Sequence, residues 1–419
     1  MVNSPRSVHM LAKPAGPQCN LSCKYCFYTE KTALYPSTEN YHITGEVLET
    51  FIRKYIQSQQ TPEVAFVWQG GEPTLLGLDF YRKAVALQQQ YAGGRRITNS
   101  LQTNGILLND EWCRFLKEND FLVGLSLDGP EAVHDRYRRY SDGRPSFQSV
   151  MKGLRLLKKY QVTYNVLCCI TREAASSPID IYRFFKNEGV KYIQFIPIVE
   201  RMTDGLAEAL GLRLATPVSL RGPNSQPEVT EWSVEAEAYG DFLIKVFDRW
   251  VRHDVGDIHV MNFEWALASW MGLPSTVCVF AENCGESLVM EHDGQVFSCD
   301  HYVYPDFRLG NILTNLPQDM AASDKQKQFG LNKSANLPDC CHRCEAYFAC
   351  RGECPKHRFL MSPDGGPGLN YLCQGYKKYF RHIHPYMKVM VQLIENHLPA
   401  AKVKEVIKGP LVVARRSGI

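Results

Sequence analysis

The chain reads as an α/β protein: an open, partial (β/α)6 barrel of the TIM type followed by a small cysteine-rich domain. Three observations predict this. Up to about residue 200, short β-rich runs alternate with amphipathic helical stretches, the pattern of a parallel sheet covered by helices. Cys19, Cys23 and Cys26 then stand in one short loop as C-x3-C-x2-C, followed directly by Phe27 and Tyr28. Cysteine density rises again between Cys278 and Cys373.

The strand candidates are Val8 to Ala12, Val64 to Trp68, Ile97 to Leu101, Leu122 to Leu127, Val162 to Ile170 and Tyr192 to Ile196. Amphipathic stretches lie between them, at Asp79 to Gln90, Glu111 to Glu118, Phe147 to Lys159 and Ile179 to Asn187. A closed eight-strand barrel needs two more units than these, so a partial barrel of six is expected. Chemistry in such a fold belongs at the C-terminal ends of the strands. The unusual residues cluster there. The cysteine loop follows the first strand, Gln69-Gly70-Gly71-Glu72-Pro73 the second, Gln102 to Gly105 the third, Ser126 to Gly129 the fourth and Thr171-Arg172 the fifth, while Gln194 and Pro197 flank the end of the sixth. Singly, paired glycines, Asn-Gly and Asp-Gly are turn formers. Their joint position at one rim is what points to a site.

Residues 203–232 carry Gly205, Pro217, Gly222, Pro223 and Pro227 without a sustained period, which predicts a loop over the barrel mouth or a connection. A helix is expected next, with Ser233 as its N-cap and Tyr239, Phe242, Leu243, Val246, Phe247 and Trp250 as one packed stripe. The expected division is 1–235 for the barrel, 236–270 for a helical connection, 271–380 for the cysteine-rich domain and 381–419 for a helical tail.

Composition narrows the function. The chain has 419 residues, 45% of them hydrophobic, and a formal charge of +3 from 47 basic and 44 acidic residues. No strong field therefore recommends nucleic acid or an anionic membrane as partner. The N-terminus lacks an apolar signal region and no run approaches a membrane span, so a cytoplasmic protein is expected. Fifteen cysteines in such a chain argue for metal ligation over disulfides.

Three thiolates cannot close a four-ligand site. A four-iron cluster held by Cys19, Cys23 and Cys26 keeps one iron open to a small molecule, whereas a zinc loop would have to borrow a fourth ligand. In the later region Cys278, Cys284 and Cys299 form one group, and Cys341, Cys344, Cys350, Cys354 and Cys373 another. Eight cysteines suit two fully ligated four-iron clusters, with two zinc sites as the alternative. Cys113, Cys168, Cys169 and Cys340 fall outside these spacings and are expected to be packed or incidental thiols.

The loop with its aromatic ending resembles the signature of radical S-adenosylmethionine (radical SAM) enzymes. The resemblance implies that Cys19, Cys23 and Cys26 hold the cluster, whose open iron chelates SAM and whose electron generates a 5'-deoxyadenosyl radical. It places Tyr28 near the adenine. Gly70, Gly71 and Glu72 match the GGEP motif that contacts the SAM amino group, and Ser126 matches a serine that helps to hold SAM. Arg138 is a weaker correspondence, as partner of the SAM carboxylate or simply a surface arginine. The later cysteines resemble the SPASM extension, which assigns Cys278, Cys284, Cys299 and Cys354 to one auxiliary [4Fe-4S] cluster and Cys341, Cys344, Cys350 and Cys373 to a second. Spacing alone would have left Cys354 with the later group.

The strings CNLSCKYCFY, WQGGEPTLLGLDF, LQTNG, GLSLDGP, QFIPIVER, SCDHYVYPDFRLGNI, FACRGECPKHRF and GLNYLCQGY resemble, in order, those of anaerobic sulfatase-maturating enzymes, from about residue 10 to residue 380. This implies oxidation of a cysteine or serine of an unfolded sulfatase segment, Cys/Ser-x-Pro-x-Arg, to formylglycine. It also implies reduced flavodoxin or ferredoxin as electron donor and three [4Fe-4S] clusters with SAM as cofactors. Asp300, next to Cys299, matches the proposed base, and Gln69 fits a substrate contact. An aspartate near pKa 3.9 is a weak base towards a thiol near 8.5. Either burial raises it, or the substrate radical is far more acidic than its parent. The alternative reading is radical SAM cross-linking or epimerisation of another ribosomal peptide. Only 18 residues precede Cys19, and the reading expects no peptide-recognition domain there. A non-catalytic metal-binding protein would leave the glycine motif and the three-ligand site without a purpose.

Overall fold

The computed structural model describes residues 7–36, 38, 40–217 and 228–407. Six parallel strands form its centre in chain order: β1 (His9–Lys13), β2 (Glu63–Trp68), β3 (Arg96–Thr103), β4 (Phe121–Ser126), β5 (Tyr164–Ile170) and β6 (Tyr192–Pro197). Helices connect them, including Gly45–Gln57, which the sequence reading did not single out, and Gly77–Tyr91, Asp110–Glu118, Phe147–Lys159 and Pro178–Asn187. The helix faces that bury Phe51, Tyr55 and Tyr81 meet Phe66 and Trp68 on β2. All five side chains are almost wholly buried, and truncating one such aromatic to alanine costs about 3–5 kcal/mol.

The partial barrel of six is extended at both edges into one ten-stranded sheet. β7 (His259–Val260) adds to β6 in parallel. On the other side β8 (Ser287–Glu291) runs parallel to β1, and β9 (Gln295–Phe297) and β10 (Arg308–Asn311) follow antiparallel. The register pairs Lys13 at the end of β1 with Glu291 at the end of β8. The cysteine-rich region is thus hydrogen-bonded onto the barrel's first strand, and this carries Asp300 to the barrel rim. A separate hairpin, β11 (Arg358–Met361) and β12 (Pro367–Asn370), completes the strands.

The expected apolar stripe lies on the helix Ala236–His253, and all six of its members are buried. Ser233 does not cap it. The cap position is Glu235, and the Ser233 hydroxyl binds instead to the backbone of Glu200 and to Thr230. This helix packs on Cys373–Glu395 through glycines. A Cβ on Gly375 would lie 1.8 Å from the Ala236 carbonyl oxygen, and one on Gly240 would lie 2.6 Å from that of Gly375. The boundary expected at residue 380 falls inside the second helix, which also runs through Pro385. In the segment expected to be an open loop, Asp204 caps a short helix, Gly205–Ala209. Gly222, Pro223 and Pro227 lie outside the described residues, as does the end of the tail after residue 407. Among the described residues no helix is long and apolar enough to cross a membrane.

Candidate active site

The cysteine loop is tied to the rims of β2 and β3 by backbone contacts that leave no room for side chains. Gly71 N–H donates to the Gly16 carbonyl (2.8 Å) and Glu72 N–H to that of Gln18 (2.8 Å). A Cβ on Gly71 would sit 2.0 Å from the Gln18 oxygen, so this glycine is demanded by the approach of the cysteine loop itself. Gly70 has φ +143°, a conformation that excludes most side chains. Glu72 is buried, and its carboxylate accepts from Thr74 N–H (3.1 Å), the hydroxyls of Thr74 (2.5 Å) and Thr103 (2.7 Å), and Asn104 N–H (2.8 Å). Burial pushes this carboxyl up, against the pull of those four hydrogen bonds. Glu72 therefore joins two rim loops. Asn104 in turn donates to the Asn20 side chain at 2.7 Å, next to Cys19.

Behind Cys23 lies a second buried network. Asp128 accepts from Tyr25 (2.5 Å), from Arg138 Nε (3.0 Å) and from Cys169 N–H (3.0 Å). Arg138 is buried, not a surface arginine, and its guanidinium also covers the Tyr25 ring at 5.7 Å. Ser126 accepts from Gln102 at 3.0 Å, and Gln69 is half-buried at the end of β2.

Tyr28 and Asp300 meet through Lys13. The buried Lys13 ammonium pairs with Asp300 and lies 3.2 Å from the centre of the Tyr28 ring. The Tyr28 hydroxyl reaches both oxygens of the buried Glu291, at 2.7 and 2.8 Å. Burial acts to raise the Asp300 carboxyl, but the Lys13 ammonium, with His301 and Lys356 nearby, holds it below the ordinary aspartate value. Of the two routes open to it as a base, a pKa raised by burial is not the one this environment provides. Residues the sequence reading passed over are Lys13, Glu291, Tyr25 and Lys356, while Asp128 was placed at the rim without a role. The signal for Lys13 was a charge ending an otherwise apolar strand. Lys356 pairs with Glu200 at 2.5 Å and covers Phe27 at 4.4 Å, and both residues, with His301, line a cavity of about 130 Å³ that also includes Gln194 and Pro197.

None of the fifteen cysteines is in a disulfide. Cys19, Cys23 and Cys26 interact electrostatically with one another, and burial pushes the Cys19 thiol up to about 12. Cys299 is near Cys278 and Cys284, and Cys354 near Cys284 and Cys299. Cys350 and Cys341 are near Cys373, and Cys373 near Cys344. Among the described residues no three His, Cys, Asp or Glu side chains converge on a single point as ligands of one metal ion. A zinc ion draws its sulfurs to about 2.3 Å, whereas Cys341, Cys344, Cys350 and Cys373 surround a cavity of about 370 Å³. A three-thiol loop and a later region rich in thiols fit iron–sulfur clusters.

A parallel barrel carrying a three-thiol loop at its rim, joined to a domain with two further thiol sets, defines the radical SAM class with an auxiliary-cluster domain. The Radical SAM superfamily model matches residues 14–185, and that of an iron–sulfur cluster-binding domain, SPASM, matches residues 278–345. The chain is 44% identical to a serine-type anaerobic sulfatase-maturating enzyme of Bacteroides thetaiotaomicron, over 96% of each chain. It is 33% identical to a cysteine-type enzyme of Clostridium perfringens, over 90% of this chain and 96% of that one. The solved structure of native anSMEcpe with bound AdoMet and Cp18Cys peptide superposes with a TM-score of 0.80 at 31% identity, covering 93% of this chain and all of that one. The chain belongs to the anaerobic sulfatase-maturating enzymes.

Proposed function

We infer that this enzyme oxidises a serine or cysteine of a sulfatase polypeptide to formylglycine without oxygen, with SAM and three [4Fe-4S] clusters as cofactors. The observation that carries the reading is the 44% identity over 96% of both chains to a serine-type maturase. The three-thiol loop and Asp300 at one barrel rim support it. Cys19, Cys23 and Cys26 would hold the first cluster, which with bound SAM supplies the carbon radical that removes hydrogen from the target Cβ. Cys278, Cys284, Cys299 and Cys354 would hold one auxiliary cluster, and Cys341, Cys344, Cys350 and Cys373 the other; these clusters would accept the electron that the substrate gives up.

The chain's own residues orient the reactants and move the proton. Gly70, Gly71 and Glu72 fix the rim against which the SAM amino group would lie; Tyr28, Ser126 and Arg138 complete the cofactor's surroundings, and Gln69 faces the substrate. Asp300 accepts the proton from the target's oxygen or sulfur. Lys13 keeps it ionised and therefore ready to accept, so the acidity must come from the substrate radical. The serine-type relative is the more similar of the two, which favours serine as a substrate. The peptide segment would be of the type Cys/Ser-x-Pro-x-Arg, the electron donor a reduced flavodoxin or ferredoxin, and the compartment the cytoplasm.

The test is anaerobic incubation with SAM, a reductant and matched serine and cysteine peptides, read by mass spectrometry. Formylglycine on the serine peptide is expected, and it should vanish in Cys19→Ala. Deoxyadenosine release without change in either peptide would overturn the substrate assignment.

A further inference from the structure

The cavity assigned to the second auxiliary cluster is lined by five thiols, one more than a four-iron cluster uses. Cys340 borders the same 370 Å³ space as Cys341, Cys344, Cys350 and Cys373. Of the four cysteines expected to be bystanders, Cys113 and Cys168 are sealed in the apolar core and Cys169 backs the Asp128 network. Cys340 lines the cavity of the second auxiliary set.

Local geometry gives Cys340 and Cys341 similar claims. Both lie on the single helical turn Asp339–His342, with Cys344 just beyond it. Cys344 follows Cys341 by three residues and Cys340 by four, and its N–H closes a turn on the Cys341 carbonyl at 3.1 Å. The N-terminal loop uses both separations, Cys19-x3-Cys23 and Cys23-x2-Cys26. Cys340 and Cys341 are adjacent in the chain and face the same cavity as Cys373. Cys340 is half-buried.

We propose that Cys340 is an alternate ligand of the second auxiliary cluster, able to take the iron held by Cys341. In the exchange the iron–sulfur bond to Cys341 breaks and one to Cys340 forms. The proton of the Cys340 thiol passes to the departing Cys341 sulfur, so no electron is gained or lost. The inference rests on the reading that this cavity holds a cluster. A reserve thiolate would keep the cluster intact when one ligand is oxidised or slow to bind.

The test uses the anaerobically reconstituted full chain, read by iron and sulfide content and by electron paramagnetic resonance. Wild type and Cys341→Ala should each keep about twelve irons, while Cys344→Ala and the double variant Cys340→Ala/Cys341→Ala should keep about eight. Iron loss in Cys341→Ala as large as in the double variant overturns the proposal. If Cys341→Ala does not fold, Cys340→Ala, which retains four ligands, decides it: this variant should release iron to a chelator faster than wild type, and equal rates overturn the proposal. Failure of the cluster reading looks different, because wild type would then hold well under twelve irons and no cysteine variant of this region would change the number.

Discussion

The two cysteine regions gather their thiols in opposite ways. The N-terminal set comes from one loop, with Cys19, Cys23 and Cys26 inside eight residues, and its rigidity is supplied from outside by Gly71, Glu72 and the Asp128 network. The C-terminal sets are drawn from 278 to 373 and are closed by long-range folding, with Cys354 carried back towards Cys284 and Cys299. A local loop leaves a position open, whereas a set assembled from distant segments can surround its contents. The sharpest way to break this comparison is by ligand substitution. Cys19→Ala should abolish deoxyadenosine formation, because the loop supplies only three thiols. Cys284→Ala should leave deoxyadenosine formation measurable while formylglycine disappears. If both variants lose deoxyadenosine equally, the two regions are not functionally separable.

Lys13 is where the regions touch. Replacing it with methionine removes the ammonium between Tyr28 and Asp300 and strands a carboxylate that is largely shielded from water. The expected cost is about 3 kcal/mol of stability. Formylglycine should fall about a hundredfold, while deoxyadenosine continues to form, an uncoupling that Asp300→Asn should share. The ratio of deoxyadenosine to formylglycine, measured in one reaction, checks it. A ratio unchanged from wild type would mean that Lys13 serves the fold alone.

Local features were legible in the sequence and long-range ones were not. The first cysteine loop and the order of β1 to β6 follow from spacing and periodicity, because each depends on a few neighbouring residues. β8 was hidden. Its Ser-Leu-Val-Met-Glu run stands among cysteines, and only its pairing with β1 reveals it as part of the barrel sheet. The Lys13–Asp300 pair joins residues nearly three hundred positions apart, and no local pattern announces it. Gly71 was matched to the GGEP motif by resemblance, and its missing side chain also admits the Gln18 carbonyl, which no local pattern shows. Ser233 had the composition of an N-cap, but the Glu200 backbone claimed its hydroxyl.

Glu72 sharpens the comparison at a smaller scale, since it binds two rim loops without touching a thiol in the protein itself. Glu72→Gln keeps the shape but puts an amide among four donors, so one oxygen's worth of acceptance is lost. A destabilisation of about 2 kcal/mol is expected by denaturant titration, with the first cluster lost more readily than the auxiliary ones. Equal lability of all three clusters would remove Glu72 as a support specific to the N-terminal site.

The smallest effect concerns protonation behind the first site. His134 is fully buried on the helix Glu131–Tyr137, accepts from or donates to Ser146 at 3.0 Å, and meets the Asp128 N–H at 3.3 Å. Burial pulls its pKa down to about 4 from the ordinary 6.5, with Arg138 adding to the effect and Asp128 opposing it. The unfolded chain therefore binds a proton that the folded chain refuses throughout the interval from 6.5 down to 4. Stability from this residue is complete above 6.5 and declines as pH falls through that window. Between about pH 7 and about pH 5.5 the loss should be about 1 kcal/mol, read as a shift of the urea midpoint under anaerobic conditions. His134→Gln, which cannot take up the proton, should lower stability at both pH values but flatten the dependence. A variant curve with the wild-type slope would assign the acid sensitivity to another group and leave the Asp128 network uninvolved.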